Sequence, residues 1–156
     1  MPRDSLKVSG DRSYSPFELL YGEVSEDWKI RRFSCDMFMF GNLIMTFFNG
    51  VSIVTATLSS LPRDFDPRIW AGTYQDVLPY LTQVFYAKVD SFNASIPSHL
   101  RAELIKFVSE MCNPNLSQRG DQKNKNVMCF SLERYISRLD FLAHEYEYKL
   151  ERGLYE

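Results

Sequence analysis

Within Ser34–Gly50, the chain from Asp36 to Gly50 is almost continuously apolar, interrupted by Asp36, Asn42 and Asn49. That is about four helical turns of hydrophobic residues on all sides, a pattern that belongs at the centre of a protein. It falls short of the ~20 residues a membrane span requires, and its polar interruptions argue the same way. Ser34 stands where an N-cap is expected, which places Asp36 in the first turn, and Gly50 marks the end. An acidic group entering a buried helix needs a dedicated partner.

Apolar spacing predicts further helices. Val77, Leu78, Leu81, Val84, Phe85 and Val89 form one stripe between Tyr74 and Phe92, with Pro79 near its start set to kink it or shift its first turn. Pro97 opens the next helix, faced by Leu100, Leu104, Phe107, Val108 and Met111, and Asn113-Pro114-Asn115 stops it. Ser131 caps the last, where Leu132, Tyr135, Ile136, Leu139, Leu142 and Ala143 recur at three and four. Pro16–Tyr21 reads as a helical turn ended by Gly22. Val51–Leu61 is rich in β-branched residues, yet no partner strand exists for it, so it is read as a short helix. Met1–Tyr14 reads as extended loop, Glu23–Arg32 as a charged surface insertion, Pro62–Gly72 as a loop anchored by Trp70, and Leu116–Asn126 as a polar, solvated loop. The fold class is all-α, about five helices around a buried central helix, in one domain over residues 1–156.

The composition narrows the function classes. The chain of 156 residues is 45% hydrophobic and 24% charged, enough for a real core. Its net charge of -2 provides no electrostatic case for nucleic acid or an anionic membrane. The N-terminus lacks the apolar region of a secretory signal, so a cytoplasmic location is expected. Cys35, Cys112 and Cys129 form no CxxC pair and read as free thiols, with no metal site. The sequons at Asn93 and Asn115 read as chance matches. His144-Glu145 lacks the second His of a zinc helix, no nucleophile elbow occurs, and His99, Asp64, Asp66 and Glu147 form no catalytic pattern.

Three short motifs then fall in a familiar order. Gly10-Asp11-Arg12-Ser13-Tyr14-Ser15-Pro16-Phe17-Glu18 resembles the G-T-x-x-Y-x-A-P-E that ends a protein-kinase activation segment, with Gly10, Tyr14 and Glu18 in register. Asp36-x-Phe38-x-Phe40-Gly41 resembles the D-x-W-x-x-G of the kinase central helix. Asn113–Arg119 resembles the loop in which kinases place an Arg. The chain from Gly10 to Leu150 therefore resembles the C-terminal part of the large lobe of a serine/threonine kinase or pseudokinase. Phe17 and Pro16 replace the Pro and Ala of A-P-E, and Asp11 replaces the Thr.

The resemblance implies that Glu18 and Arg119 form a structural ion pair. It implies that Asp36, with Phe38 and Gly41, anchors the central helix by accepting bonds from a catalytic loop, and that Gly10, Asp11 and Tyr14 belong to a substrate-facing loop. The sequence contains no Gly-rich loop, strand Lys, H-R-D or D-F-G. The chain alone is thus expected to transfer no phosphate and to hold no cofactor; ATP and Mg would come only with the missing half. Its partner would be that half, another protein, or a second copy meeting an exposed face of the central helix. The alternative is a helical protein-interaction module unrelated to kinases.

Overall fold

The computed structural model describes residues 11–124 and 128–153. Among these are six α-helices and no strand: α1 Phe17–Leu20, α2 Trp28–Asn49, α3 Ile53–Leu58, α4 Tyr74–Ser91, α5 Ser98–Met111 and α6 Glu133–Glu151. The chain is all-α. No helix among the described residues is long and apolar enough to cross a membrane.

Helix α2 runs through the centre. Its inner face buries Met37, Phe38, Gly41, Asn42 and Met45. It begins at Trp28, six residues ahead of Ser34, because Asp27 caps it: Asp27 Oδ1 accepts the amides of Lys29 (2.8 Å) and Ile30 (3.3 Å). The expected cap at Ser34 is therefore corrected; its hydroxyl donates to the Arg31 carbonyl inside the helix. The supposed insertion at Glu23–Arg32 is in its second half the first turn of α2. Asp36 consequently lies in the helix interior, and it is exposed rather than buried. Gly50, at φ 70, ends the helix.

Helix α5 crosses close to α2 at Gly41. A Cβ there would lie 2.7 Å from Cys112 Sγ and 2.8 Å from Met111 Cβ, so glycine is what permits the approach. Helices α5 and α6 run antiparallel, as three contacts along their length show. Tyr135 donates to Glu110 (3.0 Å), Arg138 donates to Glu103 (2.9 Å), and the His99 ring stacks on Tyr146 at 5.2 Å.

Thr73 and Asp76 close a capping box on α4, so its first turn stays at Tyr74 despite Pro79. The β-branched segment does form a helix, α3, capped by Ser52. Arg12–Tyr14, expected as extended loop, winds into a 3-10 turn. At the last helix, Ser131 Oγ accepts the Glu133 amide at 3.3 Å, with Leu132 as the backbone cap residue.

Candidate functional site: the Glu18–Arg119 tie and the Asp11–Ser15 face

Two buried charges meet beneath the N-terminal segment. Helix α1 turns Glu18 inward behind Phe17, and the loop after α5 delivers Arg119. Arg119 is fully buried and Glu18 is 5% exposed. The guanidinium donates from Nη1 to Oε1 and from Nη2 to Oε2, both at 2.7 Å, while Nε donates to the Asn113 carbonyl at 3.0 Å. This fork matches the carboxylate in two places and leaves no oxygen unpaired. Below it, the Phe38 ring lies 4.9 Å from the guanidinium carbon, and Phe17 meets Phe38 edge-on at 5.5 Å. Burial opposes the charge on Arg119. The field and hydrogen bonds of Glu18 outweigh it, and its pKa stands above the ordinary value.

The loop is shaped to present Arg119. Asn113 Oδ1 accepts the Asn115 amide at 2.9 Å, and Tyr74 donates to the Pro114 carbonyl at 2.7 Å. Gly120, at φ 85, follows; a Cβ there would lie 2.3 Å from the Cys129 carbonyl oxygen. The expectation of a solvated loop is corrected for this stretch, since Arg119 and Asp121 are both buried. Lys123 is exposed, and Lys125 lies outside the described residues.

A second tie fixes the Asp11–Ser15 segment. Asn42, fully buried on α2, donates from Nδ2 to the Ser13 carbonyl (3.1 Å) and accepts the Ile53 amide on Oδ1 (2.8 Å). One side chain thereby joins α2, the N-terminal segment and the start of α3. Asp11 is exposed and uses its carboxylate locally, accepting the Ser13 amide at 2.8 Å. Tyr14 is half-buried, and Gly10 lies outside the described residues.

Between this segment and α3 opens a cleft of about 520 Å³. Leu20, Val54 and Leu58 form its apolar part, and Arg12, Asp66 and Arg68 line its rim. Arg68 engages Asp66 through Nε (2.9 Å) and Nη2, and its hydrogen bonds hold the Asp66 carboxyl down at about 2.

The structure thus brings Glu18, Arg119 and Phe38 together. Gly41 lies on the same helix at the α5 crossing. Asp36 takes no part in this cluster. Its exposed position corrects the idea of a buried acid with a partner inside this chain, because α2 buries the face that carries Met37, Phe38, Gly41 and Met45, and residue 36 lies off that face. Sequence reasoning missed Asn42 as a tie, although an amide within an apolar run is the signal for one. His144 donates from its ring Nδ1–H to the Asp140 carbonyl (2.8 Å) on the exposed side of α6 and belongs to none of these groups. Among the described residues no cluster of three or more His, Cys, Asp or Glu could hold a metal ion.

The chain matches no family model, no curated protein and no solved structure.

Proposed function

We propose that this chain is the C-terminal helical portion of a protein-kinase-like large lobe, acting as a substrate-side scaffold that transfers no phosphate by itself. The observation that carries the reading is the Glu18–Arg119 pair, which joins residues 101 positions apart in the arrangement that the motif resemblance requires. Phe38 and Gly41 support it from the central helix, one packing beneath the pair and the other admitting α5. The exposed Asp36 also fits a lobe whose catalytic loop is supplied elsewhere. The Asp11–Ser15 segment, tied down by Asn42 beside an open cleft, is then the face that meets a peptide. Phosphate transfer would require ATP, Mg and the missing half.

The test is to sequence the native transcript upstream of the Met1 codon. In-frame H-R-D and D-F-G motifs are the expected result. A transcript that starts at Met1 without them overturns the fragment reading.

Self-association, which suits the kinase-like lobe as well as a helical interaction module unrelated to kinases, is favoured by a different feature. An apolar cavity of about 590 Å³ opens between α2, α5 and α6, walled by Leu43, Phe47, Leu100 and Leu142. Phe47 is 82% exposed at its edge. Projecting ring and receiving cavity share one patch, so two copies about a twofold axis can each insert Phe47 into the other. Sedimentation of the purified chain tests it: a dimer lost in Phe47→Ser is expected, and a monomer at all concentrations overturns it.

A further inference from the structure

The cleft beside the Asp11–Ser15 segment carries a charge preference of its own. Its rim holds two guanidinium groups and one carboxylate. Arg68 spends Nε and Nη2 on Asp66, and its Nη1 has no hydrogen bond among the described residues. Arg12 is exposed, and its guanidinium has no hydrogen-bond partner among the described residues. The Asp66 carboxyl stays ionised across the neutral range and stays committed to Arg68. Counted over the residues that line the cleft, the excess is one positive charge, presented mainly by Arg12, while the neighbouring Asp11 carboxylate is turned to the Ser13 amide. Beside it lie the apolar side chains of Leu20, Val54 and Leu58, the first two almost wholly buried and so held in place.

The two walls are not independent. Arg12 and Ser13 stand on one, Val54 and Thr55 on the other, and Asn42 bonds to both sides at once through Ser13 and Ile53. A cleft whose walls are cross-tied by a buried amide is already shaped before a ligand arrives, which lowers the ordering cost of binding.

We propose that this cleft binds a peptide segment in which a carboxylate side chain neighbours an apolar one, the carboxylate pairing with Arg12 and Arg68 and the apolar side chain resting on Leu20, Val54 and Leu58. This rests on the reading of the Asp11–Ser15 face as peptide-binding. A single excess charge suits one carboxylate. A polyanion would need a broad basic field, and the chain's net charge of -2 offers none.

The experiment is a fluorescence anisotropy titration of the full chain with fluorescein-labelled peptides. They share a central Leu and differ only in whether Glu, Gln or Lys flanks it. The Glu peptide should bind tightest, roughly tenfold over the Lys peptide at low salt, with the gap shrinking as salt rises. Arg12→Glu should flatten or reverse the order, and Arg68→Glu should do so in part; both substitutions are at exposed positions, and a thermal melt checks that each variant is folded. Equal affinity for all three peptides overturns the charge preference while leaving peptide docking intact. A Glu preference that survives in both variants overturns the assignment to this cleft. Failure of every peptide to bind overturns the docking reading itself.

Discussion

Glu18 and Arg119 close a two-pronged ion pair at 2.7 Å with no solvent reaching the guanidinium, and the third prong of Arg119 ends on the Asn113 carbonyl. The pair ties the N-terminal segment, the central helix and the loop after α5 into one body. Its energetic importance lies in what either partner becomes alone. Arg119→Ala should destabilise the chain by about 3–5 kcal/mol, because Glu18 is left buried without its partner. Urea unfolding measures this. Replacing both residues together with Glu18→Leu and Arg119→Met should recover much of the loss, since apolar substitutes leave no charge stranded. An Arg119→Ala variant with an unchanged unfolding midpoint contradicts the claim.

Gly41 is the contact point of α2 and α5. Gly41→Ala adds a methyl group into Met111 Cβ and Cys112 Sγ, at distances no relaxed packing tolerates. The gain in helix propensity, roughly 1 kcal/mol, opposes this. Overpacking, at about 1–3 kcal/mol, should win, because Met111 Cβ is held by its own backbone. A thermal melt several degrees below the parent is expected.

Asn42→Leu should leave the Ser13 carbonyl and the Ile53 amide without their partner. The buried Ile53 amide is the costlier orphan, at about 1–3 kcal/mol, since the Ser13 carbonyl is only partly buried. The distinguishing readout is local: the Ile53 amide should exchange with solvent deuterium much faster, while amides in α6 keep their rates. Uniform acceleration throughout the chain would mean that Asn42 supports global stability only.

The cysteines provide a pH signature. Burial, reinforced by the neighbouring Asp36 and Glu18, pushes the Cys35 thiol up to about 11, and burial pushes Cys112 higher still. Both thiols are therefore protonated at pH 8 and should react slowly with iodoacetamide in the native chain, and quickly once it is unfolded in urea. The sign for stability follows. A pKa raised in the folded state gives a contribution that is complete below the unfolded thiol value, about 8.5, and is lost as pH climbs through 11. Unfolding midpoints should fall over that window, and Cys35→Ser should reduce the slope.

The helical order was readable because it rests on local spacing. Stripes at three and four mark α4, α5 and α6, and Ser52 and Thr73 sit where caps belong. Glu18 and Arg119 were legible through motif register. The start of α2 was misread because Ser34 and Asp27 are both capable caps. The helix runs on from Trp28 under the Asp27 cap, and its buried face, set by contacts such as Phe38 on Phe17, leaves Asp36 at the surface. Asn42 and the cleft around Arg12 were not legible, since both depend on which residues lie beside one another after the chain has doubled back.

The amino-acid sequence by itself determined an all-α chain, the approximate extent of its long helices, and the need for a partner wherever a charge is buried. These follow from periodicity and from the cost of desolvating charge, which act wherever the residues stand. Only the tertiary structure decided which charges are buried, where α2 begins, and how Asn42 braces the N-terminal face. Those outcomes depend on contacts between residues far apart in the chain, and the free energy that selects them exists only when the helices have met.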